Sequence, residues 1–108
     1  MAETRKNDEG KLRYDLIPPE ALAELVKVYT LGAAKYGDHN WRKGTNWSRF
    51  YAAMQRHAWL WWAGEERDGE DGQHHLASVA WCALALMTYE AEQIGEDDRP
   101  ENIIEEDS

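Results

Sequence analysis

An acidic run of eight residues, "EERDGEDG" at 65–72, separates two tryptophan-rich apolar segments of the chain. Both the preceding segment, 49–63, and the following one, 75–89, repeat apolar side chains at helical spacing. A link this short makes consecutive helices antiparallel neighbours. The sequence therefore predicts a helical hairpin, with His57 on the apolar face of its first helix and His75 in the first turn of its second.

Another helix is predicted before the hairpin, in "IPPEALAELVKVYTLGAAKYG". Pro18–Pro19 is a start signal, and Gly37 is suited to end the helix. No convincing alternating run indicates a strand, so we expect an all-α fold of three main helices, an antiparallel hairpin plus one helix. Three helices do not close a four-helix bundle, and six Trp and five Tyr are a heavy aromatic load for 108 residues. We therefore expect a homodimer or homotetramer that completes the bundle.

Signals at the helix ends set the predicted boundaries. Ser48 is a plausible N-cap for the second helix, and Gly64 suits the position after its end. The third helix is predicted from about Gln73 to Gln93. Residues 1–95 then form a single all-α domain, and residues 96–108 form an acidic, flexible tail.

The composition excludes several classes of function. A net charge of −9 argues against DNA or RNA as a general partner. The longest apolar run, 76–89, is too short to span a bilayer, and the N-terminus has no apolar signal core. The single cysteine, Cys82, rules out an intramolecular disulfide. We expect a cytoplasmic protein that binds neither nucleic acid nor membrane.

Four side chains of the predicted hairpin are candidate metal ligands: His57, Glu65, Asp68 and His75. If helical geometry continues past Gly64, the carboxylates of Glu65 and Asp68 point the same way. All four side chains then converge where the first helix ends and the second begins. Carboxylates suit Mg²⁺ and Mn²⁺, and imidazole shifts the preference towards Mn²⁺, Zn²⁺ or Fe²⁺. An ordinary polar turn with a hydrogen-bonded core histidine explains the same residue types. However, acids at a helix C-terminus face its negative pole, which a bound cation would relieve.

The loop "KYGDHNWRKG" at 35–44 is a candidate ligand-binding segment. Tyr36 and Trp41 could stack on a base, Asn40 could read a base edge, and Lys35 could offset phosphate charge. A structural loop in which Trp41 fills the core is an equally good interpretation. Together with a metal-competent hairpin, the loop suggests a nucleotide polyphosphate as ligand.

Several spaced segments resemble one known family. "DLIPPEAL", "GAAKYGDHNWRKG" and "RHAWLWWAGEERDGEDGQHHLASVAW", in this order over residues 10–89, resemble the phage and bacterial dATP/dGTP diphosphohydrolase N-terminal domain family. That family is similar to the MazG-like all-α nucleoside triphosphate pyrophosphatases, which hold a divalent metal with helical carboxylates. They cleave between the α- and β-phosphates and release a monophosphate and pyrophosphate.

The resemblance implies a role for each candidate residue. It implies metal-dependent hydrolysis of dATP- or dGTP-type substrates with Mg²⁺ or Mn²⁺, other divalent metals being compatible with the histidines. Glu65 and Asp68 would ligate the metal with His75 and His57, and Glu65, Asp68 and Arg56 would be catalytic. The purine nucleotide would be bound by Lys35, Tyr36, Asn40, Trp41 and Arg56.

One departure from the MazG-like pattern keeps other functions open. The family pattern pairs ExxE on one helix with ExxD on the next, and only Glu65 and Asp68 match, as the ExxD half. Glu20 and Glu24 on the first helix are a weak substitute for the missing half. The alternatives are a protein that sequesters a nucleotide in the same pocket without hydrolysing it, and a purely structural helical dimer.

Overall fold

Three α-helices account for most of the residues that the computed structural model describes, 7–101. In chain order they are α1 (Pro19–Tyr36), α2 (Trp47–Trp62) and α3 (His75–Glu92), with short 3₁₀ turns at Tyr14–Leu16 and Asn40–Lys43. Within residues 7–101, β-type pairing is limited to two isolated bridges. The predicted all-α class with three main helices is confirmed.

Helix α1 begins and ends where the proline and glycine signals place it. Pro19 is its first residue, where the missing N–H has no intrahelical partner to lose, and Glu20 lies at the positive end of the helix dipole. At the other end, the Gly37 N–H donates to the Ala33 carbonyl at 2.8 Å. The segment needs no tertiary contact to define these ends.

Helices α2 and α3 form the predicted antiparallel hairpin. Phe50, near the start of α2, stacks on Tyr89, near the end of α3, with ring centroids 5.4 Å apart. At the opposite end, the rings of His57 and His75 are 5.1 Å apart. Helix α1 packs mainly against α3, where Tyr29 contacts Trp81.

The start of α2 differs from the prediction. Asn46 occupies the N-cap position, and Ser48 lies inside the first turn rather than capping it. The Ser48 N–H donates to a carboxylate oxygen of Asp98 at 2.9 Å, and the Ser48 hydroxyl donates to the other oxygen. The acceptor that the first turn needs is supplied from beyond α3, which local sequence signals do not reveal.

The end of α2 shows why the acidic run leaves the helix. Gly64 follows the last helical turn with φ of 109°, a conformation that a side chain disfavours. The Gly64 N–H donates to Trp61, and the Glu65 N–H donates to Leu60, which is the Schellman pattern. The assumption that helical geometry continues to Asp68 is therefore wrong.

The segment after α3 is held against the start of α2. The Trp47 ring N–H donates to the Ile94 carbonyl at 2.8 Å, and Glu96 exchanges backbone hydrogen bonds with Thr45 and Trp47. Gly95 has φ of 75°, and a Cβ there would collide with the Thr45 backbone. The predicted tail, 96–108, thus begins with residues that belong to the fold, whereas 102–108 lie outside the described residues.

Most of the buried side chains of this small fold belong to α3. Its buried apolar side chains include Cys82, Ala85 and Tyr89, whereas in the described structure α1 contributes no buried residue. Trp59 and Trp62 of α2 are 68% and 75% exposed. No helix within residues 7–101 combines the length and apolar character needed to cross a membrane.

Candidate functional site

Two histidines meet where α2 and α3 come together beside the acidic loop. His57 is in the last third of α2 and half-buried, and His75 is the first residue of α3 and fully buried. Their Nδ1 atoms are 2.9 Å apart. The antiparallel hairpin produces this meeting, because the end of one helix lies beside the start of the next.

The N-terminus of α3 is organised by the residue before it. His74 takes the N-cap position, and its Nδ1 accepts a hydrogen bond from the Leu76 N–H at 3.0 Å. The His75 N–H donates to the Glu66 carbonyl across the loop at 3.0 Å. The backbone of His75 is consequently fixed at the start of α3, and its ring contacts His57 of α2 and Glu65 of the loop.

The acidic loop folds back on itself and aims Asp68 at the histidines. Arg67 and His74 form an isolated antiparallel bridge, and the Asp68 N–H donates to the Gln73 carbonyl at 2.9 Å. One Asp68 carboxylate oxygen accepts from the Glu70 N–H at 2.8 Å. The other lies 4.0 Å from His57 Nδ1.

His57, Asp68 and His75 therefore present two imidazole nitrogens and one carboxylate oxygen that all lie within 4.8 Å of one another. Each atom is an ordinary ligand for a divalent metal, and the spacing is close enough for one ion. Three of the four predicted metal ligands are brought together here. The chemistry of this donor set fits a divalent cation.

Glu65, the fourth predicted ligand, contacts the far side of His75. Its carboxylate lies 2.6 Å from His75 Nε2, on the opposite side of the ring from the nitrogen that faces His57. Because a carboxylate only accepts, this contact requires the proton on Nε2 and leaves a lone pair on Nδ1 of the neutral ring.

The surroundings of His57 favour its neutral form. Burial lowers the pKa of His57, and the neighbouring His75 lowers it further, against opposing contributions from Asp68 and Asp71. A neutral imidazole is the form that can ligate a metal, so the local electrostatics are compatible with that role.

A cleft of ≈ 970 Å³ extends from His57 to the α1–α2 connection. His57 forms part of its wall, and so do four predicted ligand-binding residues: Lys35, Tyr36, Asn40 and Trp41. Through His57, the metal-competent cluster therefore adjoins the cleft that the predicted nucleotide-binding loop lines.

Trp41 has a structural contact as well as a place in the cleft wall. Its ring packs edge-on against Trp81 and near Tyr89, and the Tyr89 hydroxyl donates to the Trp41 carbonyl. Arg42 lies over the Trp41 ring, 4.9 Å from its centroid. Both interpretations of Trp41 thus have a physical basis, since one part of the ring fills the core while the residue borders the cleft.

Two other candidates lie apart from the cluster. Arg56 is exposed and does not line the cleft, although its charge reaches His57 and Cys82. Glu24, considered as a substitute for the missing carboxylate pair, is bound to Arg67 at 2.7 Å. In the described structure, Glu24 connects α1 to the acidic loop.

Two further residues line the cleft, Arg49 and Gln73, and of these Gln73 was not predicted as a site residue. Arg49 adds a positive charge to the cleft wall from the first turn of α2. Gln73 has a buried Oε1 without a hydrogen-bond partner among the described residues. The sequence predicted that α3 begins at about Gln73. In the structure α3 begins two residues later, at His75, so Gln73 lies in the loop before the helix.

Comparison with known proteins identifies a family and a relative that the chain resembles. The model of the family described as dATP/dGTP diphosphohydrolase, N-terminal, matches residues 1–99. A dATP/dGTP diphosphohydrolase of Salmonella phage PMBT28 is 36% identical over 75 residues, which cover 69% of this chain and 26% of that protein. The matched region thus spans about a quarter of this curated relative. No solved structure matches the chain.

Proposed function

The chain belongs to the dATP/dGTP diphosphohydrolase N-terminal family, and from this we propose that it is a nucleotide diphosphohydrolase acting on purine deoxynucleoside triphosphates. In the proposed reaction, water attacks the α-phosphorus and the bond to the bridging oxygen of the β-phosphate breaks. The products are the nucleoside monophosphate and pyrophosphate. The observation that carries the proposal is that His57 belongs both to the metal-competent cluster and to the wall of the cleft.

His57, Asp68 and His75 would hold a divalent cation. Such an ion, when bound, supplies positive charge that offsets the triphosphate and makes water a stronger acid. Asp68 contributes negative charge at the cluster, and its loop hydrogen bonds fix that carboxylate.

The rest of the cleft would hold the nucleotide. Lys35, Lys43 and Arg49 line it and supply positive charge for phosphate oxygens. Tyr36 and Trp41 offer aromatic faces for the purine, and the Asn40 amide can pair with a base edge. Arg56 is outside this wall, so any contribution it makes to the proposed reaction is through its charge on the cluster.

A second copy of the chain is part of the proposal. Trp59 and Trp62 on α2, together with Leu22 and Val26 on α1, are apolar side chains left exposed in a single copy. Burial of such side chains is the main favourable contribution to protein association. We propose a homodimer or homotetramer in which these faces are covered.

A nucleotide panel with detection of pyrophosphate tests the proposed activity. The full chain, supplied with Mn²⁺ or Mg²⁺, should release pyrophosphate from dATP or dGTP, and a chelator should abolish the release. Asp68→Asn should lower the rate by ~100-fold or more, because it removes the charge of one of three donors. Asp97→Asn is the matched control, since Asp97 lies in the segment after α3 and pairs there with Arg99.

Two results would overturn the proposal. One is full activity in both Asp68→Asn and His57→Gln, which would remove the cluster from the chemistry. The other is recovery of intact nucleotide from heat-denatured complex with no turnover, which would show sequestration instead.

A further inference from the structure

Glu65 and the two histidines suggest which kind of ion the cluster binds. We infer that the His57–Asp68–His75 cluster selects a divalent transition-metal ion over Mg²⁺, and that Glu65 is a positioning residue that directs Nδ1 of His75 towards the ion. The inference rests on the proposed function for the role of the ion, but it concerns binding alone. It changes the predicted role of Glu65 from ligand to partner of a ligand.

The donor atoms provide the first argument. Two of the three are imidazole nitrogens, and the third is a carboxylate oxygen. Mg²⁺ prefers oxygen ligands and keeps several waters, whereas imidazole suits Zn²⁺, Fe²⁺ and neighbouring transition metals, and carboxylate also suits Mn²⁺. Replacing two oxygen ligands by nitrogen should therefore penalise Mg²⁺ more than Mn²⁺, Co²⁺ or Zn²⁺.

The distance between the rings provides the second argument. The two Nδ1 atoms are 2.9 Å apart. Two nitrogens bound to one ion at about 2.1 Å each and at a right angle are about 3.0 Å apart. The rings are thus already spaced as adjacent ligands of one ion, with Asp68 on the same side.

The hydrogen bond from His75 to Glu65 provides the third argument. With its proton held on Nε2 by the Glu65 carboxylate, His75 has its lone pair on Nδ1, facing His57. Histidine ligands commonly donate their other N–H to a carboxylate, which fixes the tautomer and ring orientation. Glu65 itself is outside the three-donor group and half-exposed.

Without an ion, one proton must lie between the two Nδ1 atoms. Because Glu65 makes His75 Nδ1 an acceptor, that proton belongs to His57. An ion that binds both nitrogens replaces this proton, which moves to His57 Nε2, so that the ring stays neutral. Glu65 thus determines which ring changes its tautomer when the ion binds.

Metal titration without nucleotide tests the inference. The full chain, freed of metal with chelator, is titrated with Mn²⁺, Co²⁺ and Mg²⁺ by calorimetry, and Co²⁺ binding is followed by its visible absorption. Mn²⁺ and Co²⁺ should bind at least about tenfold more tightly than Mg²⁺. Glu65→Gln should weaken Mn²⁺ and Co²⁺ binding by 10- to 100-fold, the range for partners of metal ligands.

A neighbouring carboxylate provides the matched control. Glu66→Gln changes an adjacent side chain that contacts Arg67, and it should leave the affinities unchanged. ¹⁵N NMR of the imidazoles should show the Nε2–H tautomer of His75 in the wild-type chain and a loss of this bias in Glu65→Gln. Circular dichroism checks that each variant is folded.

Equal affinity for Mg²⁺ and Mn²⁺, or no metal binding by the folded wild-type chain, would overturn the metal preference. Unchanged Mn²⁺ affinity in folded Glu65→Gln, or an equal loss in Glu66→Gln, would overturn the positioning role. Selective Mn²⁺ binding without pyrophosphate release would leave this inference standing and contradict the proposed function. Pyrophosphate release by a chain that binds Mn²⁺ no more tightly than Mg²⁺ would support the proposed function and contradict this inference.

Discussion

At the scale of single residues, the candidate site depends on which ring nitrogens are available. Glu65 engages Nε2 of His75, so Nδ1 faces His57 and Asp68. The residue types alone identified His57, Asp68 and His75 as possible ligands. They did not predict that Glu65 would contact Nε2 of His75, because that depends on the path of the loop after Gly64.

Cys82 offers a prediction at the same scale. The thiol is buried on α3, and burial raises its pKa to about 11. The ordinary value is 9.0, so the thiolate fraction at pH 8 should be roughly a hundredfold lower than in the unfolded chain. Reaction with a disulfide reagent should accordingly be at least a hundredfold slower in the folded protein than in denaturant. The measurement is the rate of this reaction in the two states at the same pH. Equal rates in the two states would show that the thiol is exposed.

At the scale of elements, the helices differ in how far local signals determine them. Pro18–Pro19 and Gly37 predicted both ends of α1, and Gly64 predicted the end of α2, because these residues act through their own backbone. The start of α2 was predicted at the wrong residue because Asp98, fifty residues further on, supplies the acceptors. No local pattern in the sequence predicts a contact between residues this far apart, such as Ser48 and Asp98.

The contact between Asp98 and Ser48 gives a prediction about stability. Asp98→Ala should lower Tm by a few degrees, because it leaves N–H and hydroxyl donors of Ser48 without their acceptor. Thermal unfolding followed by circular dichroism measures the change. Asp97→Ala is the control, since that carboxylate pairs with Arg99 rather than with α2. An equal Tm for wild type and Asp98→Ala would show that the contact does not stabilise α2.

The same contact should make stability depend on pH in acid. The hydrogen bonds from the Ser48 hydroxyl and N–H hold the pKa of Asp98 below its ordinary value of 3.8. Because the folded pKa is lower, the unfolded chain binds the proton more readily. The contribution to stability is therefore present above pH 3.8 and is lost as pH falls through the lowered pKa. The Tm difference between wild type and Asp98→Ala should shrink over that range, and a constant difference would contradict the assignment.

At the scale of the whole molecule, the single copy leaves much apolar surface uncovered. The exposed Trp59 and Trp62 are large side chains of the kind that dominate protein interfaces. The heavy aromatic content predicted an oligomer from composition, but the sequence did not show which aromatics would be exposed. Trp47 and Trp81 pack inside the fold, and only the three-dimensional packing separates them from Trp59 and Trp62.

Sedimentation tests the proposed assembly. The wild-type chain should sediment as a dimer or tetramer of its 12.5 kDa copy. Trp59→Ser with Trp62→Ser should raise the dissociation constant roughly thirtyfold or more, as expected for buried aromatic hot spots. Gln55→Ala, at an exposed polar position of α2, should leave it unchanged. A wild-type chain that sediments as a monomer at all concentrations would contradict the proposal.

We propose that the protein hydrolyses a nucleotide at its α-phosphorus, with the His57–Asp68–His75 cluster binding the metal ion and the cleft binding the nucleotide. The most direct test is mass spectrometry of the products formed from dGTP with Mn²⁺ in H₂¹⁸O, by the wild-type chain and by Asp68→Asn. We predict dGMP carrying one ¹⁸O and unlabelled pyrophosphate from the wild type, and a loss of ~100-fold or more in Asp68→Asn. Label in pyrophosphate, release of dGDP with phosphate, or undiminished turnover in Asp68→Asn would contradict the account.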